Sequence, residues 1–312
     1  MRALVSGMGG FVGIYLARAL RLRGFEVSGF GIHPAPALQE IGCNYHRCNI
    51  TNYSAVCELV RSVRPHHVYH LAAFSRPSLS LTKPRECYHV NCLGTAHLLE
   101  SLREAHLKPR ILVVSSAQVY EPRNDRTRIR ENGPIKPRLP YGVSKWASEQ
   151  IALQYGRDYG LPVLVARPFN HSGRGQPVGY VIPDFARRVA ELERRRGGDF
   201  QVRDLRPVRD FLHVQDVVQA YIQLLERGVE GETYNVASGE GLSIQEILDQ
   251  LLALTKIDYE IRSTPSPSEP DHLVGDSGKL MRVTGWYPQK SISGMLREVL
   301  QEWRERLDAE PV

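Results

Sequence analysis

Short apolar runs alternate with longer amphipathic stretches through the first half of the chain. Residues 3–6, 26–30, 45–49, 68–72, 111–115 and 163–167 have the length and composition of strands. Between them, 12–23, 54–63, 85–105 and 141–159 read as amphipathic helices. Strands separated by helices of this length predict an α/β fold with a parallel, doubly wound sheet. The continuous apolar runs at 71–73 and 112–116 fit buried parallel strands that end at a ligand-facing edge.

After Arg167-Pro168 the alternation breaks. Pro168, Gly173, Gly175, Pro177, Gly179 and Pro183 crowd a short interval, which predicts loop rather than another βα unit. Helices return at 214–227, 243–255 and 291–306, with short strands at 201–203 and 233–236 and a proline-rich loop at 263–270. The pattern predicts a larger domain, 1–168, and a smaller lobe, 169–312, from which some chain returns to the first. Arg194-Arg195-Arg196 before Gly197 reads as the basic last turn of a helix, complementing its dipole.

Composition changes this picture little. The 312 residues are 42% hydrophobic and 24% charged, as in an ordinary soluble protein. Without an apolar run of membrane-spanning length or a signal-like leader, cytoplasmic residence is the expectation. The net charge of +6 suits an anionic small ligand, whereas no docking motif for nucleic acid accompanies it. Five cysteines without close Cys-x-x-Cys pairs argue for reduced thiols and against a metal site.

Candidate chemistry begins at the first strand. Gly7, Gly10 and Gly13 follow it and open a helix, the arrangement of a Rossmann-like dinucleotide site, with Phe11 and Val12 inside the loop. The second strand ends at Phe30-Gly31-Ile32-His33 without the carboxylate that binds both ribose hydroxyls of NAD. Gly31 removes a repulsion and His33 can donate to a 2′-phosphate, so NADP(H) is favoured, with NAD(H) left open. Tyr141 and Lys145 stand at i and i+4 on one helix face, where an ammonium is expected to lower the pKa of the phenol. Ser116, ending a strand, supplies a hydroxyl that can hold a carbonyl oxygen.

These pieces resemble the extended, nucleotide-sugar-modifying short-chain dehydrogenase/reductases over essentially the whole chain. Leu71-Ala72-Ala73, Asn91 to Thr95, Ser115 to Tyr120, Arg167 to His171 and Val208 to Phe211 carry the likeness together with the glycine loop and Tyr141 to Lys145. Within the branch, 169–173, 179–186 and 267–271 are similar to the GDP-4-keto-6-deoxy-mannose reductase and GDP-mannose 4,6-dehydratase group. The resemblance implies Tyr141 as general acid, Lys145 as its partner on the nicotinamide ribose, and Ser116 as the group polarising the ketone. It implies further cofactor contacts from Asn49, Ile50, Leu71, Ala72, Ala73, Asn91 and His171. For a nucleotide-diphosphate sugar it implies Ser75, Gln118, Asn170, Val181, Arg187, Arg209, Ser266 and Glu269, with Ser266 replacing an arginine of the group. It also implies a homodimer built on the helix from Tyr141 and the long helix before it.

Gln118 decides between reactions. The dehydratases carry a glutamate there, and an amide cannot act as that base. The expected reaction is NADPH-dependent reduction of a nucleotide-linked 4-keto-6-deoxyhexose, GDP-linked by the resemblance. An NAD-dependent nucleotide-sugar 4-epimerase is the alternative, and a redox-sensing or scaffold protein on the same fold is a third. Without the likeness, Asn170 and His171 are equally well loop-stabilising hydrogen-bonders, Arg209-Asp210 a surface ion pair and Glu269 a solvated acid.

Overall fold

A computed structural model describes every residue except 34, 258, 267–270 and 310–312. The chain enters through β1 (Arg2–Ser6), α1 (Phe11–Leu22), β2 (Glu26–Gly31), the single turn α2 (Ala37–Glu40), β3 (Asn44–Arg47), α3 (Tyr53–Val63) and β4 (His67–His70). Two short pieces, α4 (Pro77–Ser80) and α5 (Pro84–Tyr88), lead through a π turn (His89–Leu93) into α6 (Gly94–Glu104) and β5 (Arg110–Val114). The long helix α7 (Pro140–Tyr159) precedes β6 (Val163–Pro168).

Local chemistry sets the boundaries that differ from expectation. The predicted helix 85–105 is split because the Asn91 carbonyl also accepts the Thr95 hydroxyl at 2.6 Å and the Ser148 hydroxyl at 2.7 Å. Such bonds compete with the regular ladder, and the turn widens there. β4 stops before residue 72 because the Ala72 N–H turns to the Ser6 hydroxyl, 3.1 Å away. β3 stops before residue 49, whose side chain accepts from the Thr51 N–H at 3.1 Å.

The interval 168–183 is less loop-like than its glycines and prolines suggest. It holds β7 (Asn170–Ser172), and α8 (Val181–Arg195) opens inside it. Pro183 lies in the first turn of α8, where its missing N–H costs no helical bond. Arg194 and Arg195 do form the last turn, closed by Arg196 in the left-handed region. There follow β8 (Gly198–Val202), β9 (Val208–His213), α9 (Val214–Arg227), β10 (Thr233–Val236), β11 (Gly241–Ser243) and α10 (Ile244–Leu252). The chain ends with β12 (Tyr259–Ser263), β13 (His272–Leu273), α11 (Gly278–Thr284) and α12 (Ile292–Ala309).

The central sheet is parallel, with seven strands in the order β3-β2-β1-β4-β5-β6-β10. One face packs on α1 and α9 through Leu16, Leu20, Tyr69, Tyr221 and Tyr234. The other packs on α3, α6 and α7 through Val56, Val60, Leu98, Leu99 and Ala152. A separate core joins α8, α10 and α12 through Val189, Phe200, Ile247, Leu251 and Leu296. Helix α9 and strand β10 therefore return to the first core after β7, α8 and β9 have left it. Among the described residues, no helix is long and apolar enough to cross a membrane.

Asp210 knots the second core to the sheet. Its wholly buried carboxylate accepts from the Ser238 N–H and hydroxyl, the Gly239 N–H and the Gly275 N–H at 2.7–3.2 Å. Burial nevertheless pushes its pKa up to about 6. The neighbouring Arg209 pairs instead with Asp271 at 2.7 Å, so Arg209 and Asp210 do not form an ion pair with each other.

Candidate active site

Close approach of backbone to backbone shapes the mouth of the sheet. Gly7 holds a left-handed φ of +72°, and a Cβ there would stand 2.8 Å from the Ala72 nitrogen. At Gly13 a Cβ would meet the carbonyl oxygens of Gly7 and Met8 at 2.5 Å each. The helix α1 starts at Gly10 without a side-chain cap, so its first N–H groups remain for an anion. Beside this cradle opens a cleft of about 1000 Å³ that runs across the strand ends to α8 and β9.

Ser116, Tyr141 and Lys145 line the same cleft. Ser116 caps a short 3₁₀ turn, accepting the Gln118 N–H at 3.2 Å, which leaves its proton to donate. Pro140 occupies the first turn of α7, and the Tyr141 N–H donates to the Ser80 hydroxyl at 3.1 Å. Gly142 then lets the helix reach the serine turn, since a Cβ would lie 2.4 Å from the Gln118 carbonyl oxygen. The phenol and the Ser116 hydroxyl line the cleft together, and Ser116 acts to lower the pKa of the phenol.

Burial dominates the electrostatics of this group. It pushes the Tyr141 phenol well above the ordinary tyrosine range, with Ser116 opposing it and Tyr180 and Cys87 adding to it. The expected lowering by Lys145 is not what governs the phenol: Lys145 is not among the charges that act on it, and desolvation is the largest influence. Burial also brings Lys145 down to about 8, against an upward pull led by Glu149. A phenol held protonated is a proton donor.

Most sequence-derived candidates meet here. Gly7, Gly10, Phe11, Val12, Gly13, His33, Asn49, Ile50, Leu71, Ala72, Ala73 and His171, expected at a cofactor, all line the cleft. Ser75, Gln118, Asn170, Val181 and Arg209 line the remainder. The His171 ring stacks on Phe11 and donates Nδ1–H to the Phe169 carbonyl at 3.0 Å. Asn170 donates to the Asp210 carbonyl at 3.1 Å.

Three candidates lie elsewhere. Asn91 is buried behind the wall, its amide spent on Phe74 N–H at 2.7 Å and the Ser144 hydroxyl at 2.8 Å. It braces the 71–74 segment against α7 and does not face the cleft. Arg187 points along α8 to Glu191 at 2.8 Å. Ser266 sits beside Asp204 and Arg206, where its N–H and carbonyl are engaged. Glu269 falls outside the described residues.

Sequence reasoning missed two lining tyrosines. Tyr45 donates to the His33 carbonyl at 2.6 Å, and its hydroxyl lies 2.7 Å from where a Cβ on Gly31 would be. Tyr180 donates to the Ser75 carbonyl at 3.0 Å and faces Tyr141. Tyr45 has no local motif, and Tyr180, though inside the 179–186 stretch, was not singled out there; the fold brings both to the mouth.

The family model for GDP-mannose 4,6 dehydratase matches residues 4–299. The chain belongs to that family of extended short-chain dehydrogenase/reductases. GDP-6-deoxy-D-mannose reductase of Pseudomonas aeruginosa is 33% identical over 99% of this chain and 99% of its own length. A solved structure of RMD from Pseudomonas aeruginosa complexed with NADPH covers 98% of this chain and 99% of its own, with TM-score 0.87 at 33% identity. UDP-glucose 4-epimerase of Thermus thermophilus, solved with NAD, covers 97% and 99% with TM-score 0.85 at 29% identity. The protein is thus a nicotinamide-dependent enzyme of this class, acting in nucleotide-sugar chemistry.

Lys145→Met tests the burial argument. The folded amine sheds its proton near pH 8 rather than 10.5, so its burial costs about 3 kcal/mol below pH 8. That cost is relieved as pH rises from 8 toward 10.5. The variant is expected to lose turnover yet to match or exceed the wild type in denaturant stability at pH 7, with the gap closing above pH 10. A loss of stability that is equal at both pH values would refute the argument.

Proposed function

We propose that this enzyme reduces the 4-keto group of a GDP-linked 4-keto-6-deoxyhexose with NADPH. The observation that carries the reading is the convergence of Ser116, Tyr141 and Lys145 on one cleft, with the amide Gln118 where a dehydratase needs an acid. The similarity to GDP-6-deoxy-D-mannose reductase supports the nucleotide and the sugar class.

The residues fit a dinucleotide. Gly7 and Gly13 let the loop fold so closely that a Cβ at either would strike backbone, and the uncapped start of α1 at Gly10 favours a pyrophosphate. At the end of β2, an acidic side chain at position 31 would collide with Tyr45, which supports NADPH over NADH. When bound, the nicotinamide supplies the hydride. Ser116 donates to the ketone oxygen and orients it. Tyr141, protonated at neutral pH, delivers its proton to that oxygen as it becomes an alkoxide. Lys145, as an ammonium, stabilises the phenolate left behind and donates to the ribose hydroxyls.

At the far end of the cleft, Ile182, Pro207, Phe211, Ile244 and Leu273 make an apolar slot for the base, with Arg209 beside it for the diphosphate. Two copies are proposed to pair through α5, the π turn and α7, where Tyr88, Leu93, Val143 and Trp146 are exposed. Single apolar residues on a surface are ordinary, but a contiguous set invites burial.

Tyr141→Phe is expected to bind NADPH as the wild type does, more tightly than NADH, and to lose about 10²–10⁴ in turnover. Unchanged turnover would remove the assignment. For the pairing, Trp146→Asp should halve the mass seen by light scattering; a wild type that is already monomeric contradicts it.

A further inference from the structure

A buried polar assembly beside the cleft plays no part in the reaction as described so far. Glu149 is wholly buried and Arg167 nearly so. Arg167 Nε donates to both carboxylate oxygens at 3.0 and 3.1 Å, and Nη2 adds a third bond at 2.7 Å. Its Nη1 donates to the Tyr120 hydroxyl at 2.8 Å and the Glu131 carbonyl at 3.0 Å. Tyr120 in turn donates its hydroxyl proton to Asn235 Oδ1 at 2.7 Å. Stability alone is a weak reason for such a pair, since an apolar replacement is often as stable.

Placement gives a better reason. Glu149 follows Lys145 by one turn on α7, as Lys145 follows Tyr141, so all three share a face. Its Oε1 also accepts the hydroxyl proton of Ser115, the residue before Ser116. The carboxylate therefore grips the chain beside the reacting serine and stands next to the reacting lysine.

Resting on the redox reading above, we propose that Glu149 is a positioning residue of the reacting centre: fixed by Arg167, its charge keeps Lys145 an ammonium despite burial, and its bond to Ser115 sets the turn that carries Ser116. The other groups facing Lys145 are uncharged. Cys87 of α5 and Cys92 of the π turn are thiols pushed up by burial. His70 of β4, held between the Ser6 and Thr95 hydroxyls at 2.7 and 2.9 Å, is pushed down to about 3. Tyr141 is protonated. Glu149 is left as the single opposing charge among the groups that act on the amine, and it leads those that resist its desolvation.

A direct titration separates this role from the sugar assignment. The chain has seven lysines, so lysine labelled with ¹³C at Cε gives a spectrum in which Lys145 is identified by its loss in Lys145→Met. Without sugar or cofactor, the wild-type Lys145 signal should titrate near pH 8. In Glu149→Gln its midpoint should fall by about one unit. The alkaline limb of kcat/KM for ketone reduction should move down with it. If Glu149→Gln does not fold, Glu149→Gln combined with Arg167→Met removes both charges and is read the same way. An unchanged Lys145 midpoint in the folded variant overturns the proposal, as does a rate that falls equally at every pH. A wild type that reduces no ketone would overturn the sugar reading and leave the lysine titration to stand or fall alone.

Discussion

One face of α7 carries a half-buried phenol, a buried amine and a buried carboxylate against the sheet, and the surrounding structure answers that cost. Desolvation disfavours every charged form, so each group needs a specific partner or stays neutral. Glu149 finds Arg167, Tyr141 stays protonated, and Lys145 is left with a weakened hold on its proton. The approach that makes this possible is backbone to backbone at Gly142. A larger residue at that position would hold the phenol away from the serine.

The same constraint explains why the candidate site lies across the strand ends rather than in either core. β1, β4 and β5 end together, and each end hands its last polar group to a neighbour. Ser6 accepts the Ala72 N–H, Ser115 donates to Glu149, and Ser116 caps the turn to Gln118. Small side chains there leave a dinucleotide-sized opening between glycine loop and serine turn. Asp210 performs the corresponding service for the second core, gathering the 238–239 and 275 turns around one carboxylate.

The sheet, the glycine loop and the Ser116–Tyr141–Lys145 set were legible in the sequence because each has a local spacing. Strand and helix periods place them, and i, i+4 geometry pairs the tyrosine with the lysine. What escaped depends on contacts between distant segments. Tyr45 and Tyr180 reach the cleft only because β3 is folded beside β2 and the 173–180 loop crosses to Ser75. Asn91 carries the residue type of a ligand contact, yet tertiary partners use up its amide first, and Arg187 turns along its own helix to Glu191. The last turn of α8 was legible at Arg194-Arg195, but its start was hidden by prolines and glycines that turned out to sit before it and in its first turn. The effect of Lys145 on the phenol was misjudged for a related reason: spacing reveals neighbours but not the depth of burial.

Gln118 withholds the base that a dehydratase needs but fits an epimerase as well as a reductase; what separates those two is that a ketone reductase consumes its cofactor whereas an epimerase returns it. The most direct measurement is the stoichiometry of purified protein, NADPH and GDP-4-keto-6-deoxymannose, followed by absorbance and proton NMR together. The account predicts one NADPH consumed for each new carbinol at C4. Interconversion of the sugar with no net loss of NADPH would contradict it.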